Sequence, residues 1–283
     1  MRVRLRTTIE LNTDSIRKLD VKKISLQAFN SPFFVTRRFG EFAAAILFVK
    51  AQLNDDNQLT QVVAGLVGGF DAFLIQLSKK FHPQLEQDVF LLNNIDLILS
   101  IFQERGVGKA TSSTSSLASS VSSFHSTVSA DLPSFEILSH GMAAIAKYED
   151  RMAGIVSVVV EKKLSDHFGP LIKFTTEQEK HGTTTHSPAS VMVEMERIVV
   201  GFQANWKLEI GKVQKEIFDL FSNLSTASEV LKNAMTQLLL YYTRFQKVVT
   251  SRLPPGPVPN WTRQLVPSGV IMAEIKQIQN MFV

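Results

Sequence analysis

Two long amphipathic patterns between residues 191 and 252 constrain the fold more than any other feature of this sequence. In each, apolar residues recur at steps of three and four, which places one apolar stripe along a helix. A short break at Ser222–Ser225 separates them, so the sequence predicts an antiparallel helical hairpin. Thr226 and Glu229 have the spacing of a capping box for the second helix. The two stripes comprise Met195, Val199, Phe202, Trp206, Ile210, Val213, Ile217 and Leu220, and then Leu231, Ala234, Leu238, Tyr241, Phe245 and Val248.

Similar periodic patterns predict further helices before and after this hairpin. One starts near Thr36, one ends near Phe81, and one covers residues 84–105 and is apolar on most of its circumference. A long helix is predicted from Pro133 onward, interrupted at Gly169-Pro170, and a last amphipathic helix covers residues 268–282. The chain is therefore predicted to be all-α, an elongated antiparallel helical bundle or rod.

The first residues show a different pattern. Apolar and polar side chains alternate over residues 2–12, and a period of two favours a half-buried strand. We therefore expect a short β element, such as a hairpin, within residues 1–30. A chain that begins inside such a pattern also looks like a fragment of a longer protein.

The composition changes again after residue 107. Ten of the nineteen residues from 111 to 129 are serine, which offers little apolar surface to bury, so residues 108–131 are predicted to form a disordered loop. Regulation of this loop by phosphorylation is the less favoured alternative. The predicted domains are an N-terminal segment at 1–30, a first helical bundle at 31–182 that contains the loop, and a C-terminal helical bundle at 183–283.

Composition excludes several classes of function. A net charge of +4 is small for 283 residues, and no run of Lys and Arg interleaves with aromatic residues, so nucleic-acid binding is not expected. The absence of cysteine excludes disulfides, cysteine nucleophiles and thiolate metal sites. The N-terminus lacks the apolar region of a signal peptide, and no uninterrupted apolar stretch of membrane-spanning length exists, so only peripheral membrane contact is expected.

The search for reactive groups gives little. His181 and His186 lie in a polar loop without a nearby carboxylate, and the Gly65–Gly69 segment falls inside a helical pattern rather than after a strand. His167 follows Asp166, an arrangement that a general base needs, although a histidine at the end of a helix is the more common explanation. We therefore predict no catalytic residue, no cofactor and no metal site.

Five segments, in the same order along the chain, resemble motifs of one known family. They are Arg37–Phe42 (R-R-[YF]-x-E-F), Val89–Asp96 (V-F-L-I-N-N-Y-D), Phe168–Ile172 (F-G-x-L-[VI]), Phe202–Lys207 (F-G-S-x-W-K) and Ala234–Phe245 (A-L-T-Q-L-[IL]-x-[LY]-Y-x-R-[FL]). The family is vacuolar protein sorting-associated protein 52, a subunit of the Golgi-associated retrograde protein (GARP) tethering complex. The resemblance covers about residues 5–283 and excludes the family's N-terminal half. Gly40, Ile95 and Gln203 depart from the motifs, where the family has Ala, Tyr and Gly.

The resemblance implies a non-catalytic subunit with the helical architecture of multisubunit (CATCHR) tethers, acting in endosome-to-trans-Golgi-network retrograde transport. It implies other tethering-complex subunits, Golgi and endosomal small GTPases and SNAREs as partners. It also implies a peripheral location on the cytosolic face of the trans-Golgi network and endosomes. A related recycling complex shares this subunit. The motif positions that are candidates for partner contact are Arg37, Arg38, Glu41, Asn93, Asn94, Asp96, Trp206, Lys207 and Arg244.

Three alternatives remain open from the residues themselves. Asn93, Asn94 and Asp96 interrupt an apolar helix and serve either a buried polar network, which we favour, or a partner. A hydrolase would use His167 with Asp166 and a distant serine. A peripheral membrane-binding helical module would use a basic patch formed by Arg2, Arg4, Arg6, Arg37 and Arg38.

Overall fold

A computed structural model of the chain describes residues 2–26, 28–52, 57–107, 135–181, 188–253 and 256–280. These ranges contain eight α-helices and two short 3₁₀ helices, and they contain no strand, so the predicted all-α class is confirmed. The predicted serine-rich loop at 108–131 lies outside the described residues, as does His186. The α-helices are α1 (Arg2–Arg17), α2 (Phe34–Gln52), α3 (Asn57–Ser78), α4 (Gln84–Glu104), α5 (Phe135–His181), α6 (Pro188–Leu220), α7 (Leu224–Arg252) and α8 (Ser268–Asn280).

The N-terminal strand is a wrong prediction, because residues 2–17 form helix α1. In an alternating pattern, residues four apart lie on the same side. Leu5, Ile9 and Thr13 have this spacing, so they also share one face of a helix. Ile9 is fully buried and Thr13 is 5% exposed, both on the side that packs against α3. The partner helix, rather than the local pattern, decides the structure here.

The chain divides into two compact units, unit 1 at Met1–Ile155 and unit 2 at Val156–Val283. The division falls within α5, whereas the sequence analysis expected boundaries after residues 30 and 182. The N-terminal segment is part of unit 1 because α1 packs on α3. Helix α5 ends at His181, and buried residues before and after that end, from Val159 to Phe174 and from Met195 onward, belong to unit 2.

Unit 1 is organised around α3, which packs against α1, α2 and α4. Phe70 of α3 stacks on Phe39 of α2 at a ring-centroid distance of 3.8 Å. The segment Leu59–Ser78 of α3 is long and apolar enough, by length and composition alone, to cross a membrane. The sequence analysis did not single it out. Its buried stripe, which includes Phe70, makes it the core helix of unit 1.

Helices α2 and α4 approach each other closely in unit 1. A β-carbon added at Gly40 of α2 would lie 2.8 Å from Cδ1 of Ile101 on α4, so a side chain at residue 40 would require the Ile101 side chain to move. All residues from Val89 to Ile95 of α4 are buried, which agrees with the apolar circumference seen in the sequence.

Unit 2 contains the predicted hairpin, with α6 and α7 joined by residues 221–223. The predicted capping box at Thr226 and Glu229 is wrong. Asn223 is the N-cap, and its Oδ1 accepts a hydrogen bond from the Ser225 amide at 3.1 Å. The interruption predicted at Gly169-Pro170 is a kink within α5, at which Phe168 has non-helical φ and ψ angles of −121° and 20°. Pro170 causes it, because proline lacks the amide that would bond to the carbonyl four residues earlier.

Candidate functional site

Charged residues of α5 and α6 surround His167 in unit 2. Its Nδ1 lies 2.6 Å from Oε2 of Glu209, and its Nε2 lies 3.1 Å from Oε1 of Glu216. The imidazole is nearly buried, with its side chain 10% exposed. Lys163, one turn before His167 on α5, donates to Oε2 of Glu216 at 2.7 Å. Two cationic or proton-bearing groups of α5 therefore face two carboxylates of α6.

The same contacts shift the titration of both glutamates. The pKa of Glu209 is lowered, first by a hydrogen bond from Lys212 and then by one from His167. For Glu216, partial burial alone would raise the pKa, but the hydrogen bond and positive charge of Lys163, aided by His167, lower it below its ordinary value. Both side chains thus favour the carboxylate in the folded protein.

We expect this cluster to give unit 2 a stability that depends on pH. A carboxylate with a lowered folded pKa contributes stability above its unfolded pKa of about 4.3, and this contribution is lost as the pH falls through the lower folded pKa. A Glu209→Gln/Glu216→Gln variant should be less stable than the parent at neutral pH, and its stability should fall less in acid. Melting temperatures measured from neutral pH to below the unfolded pKa of glutamate check this.

A matched variant, Glu196→Gln/Glu229→Gln, removes the same charge from two exposed positions of α6 and α7. Its melting temperature should follow the parent curve. If the two double variants give superimposable curves, the carboxylates around His167 have no special role in acid stability.

A cavity of about 340 Å³ lies beside His167, between α5 and the middle of α6. Phe168, Leu171 and Phe202 provide apolar walls, and Arg197 and Asn205 provide polar ones. None of its lining residues, all within the described ranges, carries a hydroxyl, thiol or amine nucleophile. Both ring nitrogens of His167 contact carboxylates, so neither is free to accept a proton from a substrate.

Asp166 does not orient His167 as the hydrolase alternative requires. It lies one residue before His167 on the helix and bonds instead to Lys162, whose Nζ is 2.7 Å from its Oδ1. The expected end of the helix is not at His167 either, since α5 continues to His181. The arrangement is an interhelical ion cluster, which holds α5 and α6 together.

Three of the five motif segments meet in an aromatic cluster in the core of unit 2. The rings of Phe202 and Tyr242 stack at 4.6 Å, and those of Phe168 and Phe202 lie 6.0 Å apart. Trp206 stacks with Phe202 at 6.3 Å and is 5% exposed. Phe245 completes the group and is fully buried. The aromatic residues of these three motifs therefore pack α5, α6 and α7 against one another.

The charged motif residues of unit 2 make contacts within the unit. Lys207 is 62% exposed and pairs with Glu274 of α8 at 2.7 Å, while its Nζ lies 5.3 Å from the centre of the Trp206 ring. Arg244 binds Glu179 of α5 through both Nε, at 2.9 Å, and Nη2. Of the candidate contact positions in this unit, Trp206 is a core residue and the other two link helices at the surface.

The motif residues of unit 1 divide into exposed and buried groups. Arg37, Arg38 and Glu41 are exposed on α2, and Asp96 of α4 is half-buried. Asn94 is fully buried, and its Oδ1 accepts hydrogen bonds from the Phe33 amide at 2.9 Å and the Thr36 hydroxyl at 2.5 Å. Asn93, also buried, donates to the Val89 carbonyl at 3.0 Å. Asn94 thus caps the start of α2 from α4, which is the structural role that the sequence favoured.

Two fully buried tyrosines differ in how their hydroxyls are satisfied. The Tyr242 hydroxyl donates to the Val266 carbonyl at 2.7 Å, whereas the Tyr148 hydroxyl has no hydrogen-bond partner among the described residues. Burial raises the pKa of both phenols, that of Tyr242 to about 12. Both therefore remain protonated hydroxyls at neutral pH. Among the described residues, the Tyr242 hydroxyl has a hydrogen-bond acceptor and the Tyr148 hydroxyl has none.

We expect opposite effects from removing these two hydroxyls. Tyr148→Phe should stabilise the protein by about 1 kcal/mol, because it removes a buried unpaired polar group, and Tyr242→Phe should destabilise it by about 1 kcal/mol. Urea denaturation of the two variants, followed by far-UV circular dichroism, measures both changes. If both substitutions changed the free energy of unfolding in the same direction, the two hydroxyls would not differ in hydrogen bonding as described.

Glu209, Glu216 and Lys163 were not singled out from the sequence. Glu209 and Glu216 are seven residues apart on α6, and Lys163 and His167 are four apart on α5, so each pair occupies one helical face. This spacing was visible in the sequence. The alignment of the two faces depends on how α5 lies against α6, which the spacing does not specify.

Comparison with known proteins finds similarity to one family. Residues 3–125 match the family model described as Vps52, C-terminal. Vacuolar protein sorting-associated protein 52 A of Arabidopsis thaliana is 26% identical over 280 residues, which are 99% of this chain and 34% of the relative. The homologues of Caenorhabditis elegans and Rattus norvegicus are 25% and 23% identical, covering 98% and 87% of this chain and 35% and 30% of their own lengths.

The chain thus spans about a third of the length of the curated relatives it matches. No solved structure matches it. The resemblance seen in the five motifs is confirmed, and it extends over nearly the whole chain, which is similar to the C-terminal portion of vacuolar protein sorting-associated protein 52.

Proposed function

We propose that the chain is part of a non-catalytic subunit of a vesicle-tethering complex that acts in retrograde transport from endosomes to the trans-Golgi network. The observation that carries the proposal is the similarity over 99% of the chain to proteins named for vacuolar protein sorting. The all-helical structure supports it, since long helices provide extended surfaces for several protein partners.

The proposed partners are the other subunits of the complex, small GTPases of the Golgi and endosomes, and SNAREs. The outer face of α2 is the best candidate among the motif positions for such a contact. Arg37, Arg38 and Glu41 are exposed there, between Phe34 and Phe48, whose side chains are 72% and 58% exposed. Aromatic and arginine side chains together are typical of protein interfaces.

The experiment is purification of the tagged full-length protein from cells, followed by identification of the proteins that accompany it. The other tethering subunits should co-purify, and the tagged protein should localise to the trans-Golgi network and endosomes. An Arg37→Glu/Arg38→Glu variant should lose some of these proteins, while a matched Lys215→Glu/Lys232→Glu variant should keep them. Recovery of the wild-type protein without any tethering subunit would count against the proposal.

A hydrolase remains the alternative of another class. The cavity beside His167 is the feature that favours it, and the pairing of both ring nitrogens with Glu209 and Glu216 opposes it. His167→Gln should leave every hydrolytic activity of the purified protein unchanged. A hydrolysis that depends on His167 would reverse this assignment.

A further inference from the structure

A group of exposed cations lies where α1 and α3 end side by side in unit 1. We call it the lysine cluster, and it comprises Arg17, Lys18, Lys22, Lys23, Lys79 and Lys80. The two helices run in the same direction, since Thr13 approaches Gly69 and the segment after α1 approaches Lys80. Both C-terminal ends, with the cations that follow them, therefore occupy one end of the pair.

Hydrogen bonds of Lys80 hold the two segments together. Its Nζ donates to the carbonyls of Lys22 at 3.4 Å and of Ile24 at 2.5 Å. The 3₁₀ turn Val21–Lys23 packs against the end of α3 in the same place. The residues from α1 and α3 thus share one fixed surface rather than two separate ones.

This surface has more positive than negative charge. Asp14 lies 3.8 Å from Arg17, and Asp20 lies 3.9 Å from Lys23, so two cations have acidic neighbours. Lys18, Lys22 and Lys79 make no ion pair with any carboxylate in the part of the chain that the structure describes. The negative ends of two helix dipoles favour nearby cations, but the effect is confined to the last turn of each helix. The 3₁₀ turn lies beyond α1, so the dipoles do not account for all six.

The type of cation and its neighbours indicate the kind of partner. Five of the six are lysine, whose compact, strongly hydrated charge suits diffuse attraction rather than the bidentate recognition at which arginine excels. Leu19 lies between Lys18 and Lys22 in the sequence and is 42% exposed. Its apolar side chain could insert between the headgroups of a lipid surface. We infer that the lysine cluster binds the surface of a membrane rich in acidic phospholipid.

The structure separates this surface from the arginine patch considered in the sequence analysis. Arg37 and Arg38 lie on α2, and Arg4 and Arg6 lie on α1 near its other end. Arg6 is also paired with Glu10 at 2.8 Å. The inference does not rest on the proposed tethering function, because a lone helical module would bind lipid in the same way.

The test is co-sedimentation of the 283-residue chain with vesicles of phosphatidylcholine alone and with vesicles that also contain phosphatidylserine. Binding should require phosphatidylserine and should weaken as salt is raised. Each lysine near an acidic membrane contributes to attraction, so a Lys18→Gln/Lys22→Gln/Lys79→Gln variant should bind on the order of 100-fold more weakly at low salt. Lys80 is left unchanged because its hydrogen bonds join the end of α3 to the segment after α1. Leu19→Gln should weaken binding but keep its salt dependence.

Two matched variants locate the surface. One, Lys215→Gln/Lys232→Gln/Lys276→Gln, removes the same charge from exposed positions of unit 2, and the other, Arg4→Gln/Arg37→Gln/Arg38→Gln, removes it from the arginine patch. Both should retain most of the binding, and circular dichroism should show that all variants are folded. Equal losses in all three variants, or a loss confined to the arginine variant, would overturn the inference. Binding to a polyglutamate peptide but not to acidic vesicles would overturn it too, in favour of an acidic protein partner.

Discussion

Replacing Phe245 with alanine should destabilise the protein by about 3–5 kcal/mol, one of the two largest effects expected from a single substitution in this chain. Phe245 is fully buried on α7, and its ring centre lies 6.0 Å from that of Phe174 on α5 and 6.3 Å from that of Tyr242. The substitution removes the ring at the point where α5 and α7 meet, and the surrounding helices can collapse only partly into the space.

Tryptophan fluorescence during urea denaturation measures this loss locally, because both tryptophans of the chain, Trp206 and Trp261, belong to unit 2 and are buried there. Leu240→Ala is the control, since Leu240 lies on the same helix but is 50% exposed. It should change the stability by less than about 0.5 kcal/mol. A Phe245→Ala variant as stable as this control would show that the ring is not packed as described.

Replacing Asn94 with alanine should destabilise unit 1 by about 2–4 kcal/mol, because it leaves two buried donors, the Phe33 amide and the Thr36 hydroxyl, without their acceptor. Asn12→Ala is the matched control. The Asn12 side chain donates to the carbonyl four residues earlier, as Asn94 does to Phe90, but Asn12 is exposed and its substitution should change little.

A double-mutant cycle with Thr36→Val isolates the tertiary hydrogen bond. In the Asn94→Ala background, Thr36→Val removes a hydroxyl that has already lost its acceptor, so the combined loss should be smaller than the sum by on the order of 1 kcal/mol. Urea denaturation followed by circular dichroism provides all four stabilities. Strict additivity would show that the two side chains do not interact.

The long elements of this fold could be predicted from sequence, and the reasons are local. In α6 and α7 the apolar stripe is long, a short polar break separates the two helices, and only a hairpin buries both stripes. The start of α2 near residue 36 and the span of α4 were predicted to within about two residues, the usual uncertainty at helix ends. In these segments propensity, periodicity and packing favour the same structure.

In residues 2–12 the periodicity alone does not distinguish a strand from a helix. Their alternation is compatible with a strand, but Leu5 and Ile9 also have helical spacing, and contact with α3 selects the helix. The candidate site has the same limitation. Asn94 could serve a partner or a polar network until α2 is placed beside α4, and His167 was considered with Asp166 because Glu209 and Glu216 are more than forty residues away in sequence.

The close approach at Gly40 and the cap at Asn94 together fix how far α2 can slide along α4. Asn94 binds residues 33 and 36, and Ile101 contacts residue 40, so the two contacts are seven residues apart on α4 and four to seven residues apart on α2. A shift of one helical turn would place Thr36 or Ala44 against Ile101 and carry the Phe33 amide away from its acceptor. The packing of Ile101 on Gly40 and the hydrogen bonds of Asn94 therefore favour the same alignment of these two helices.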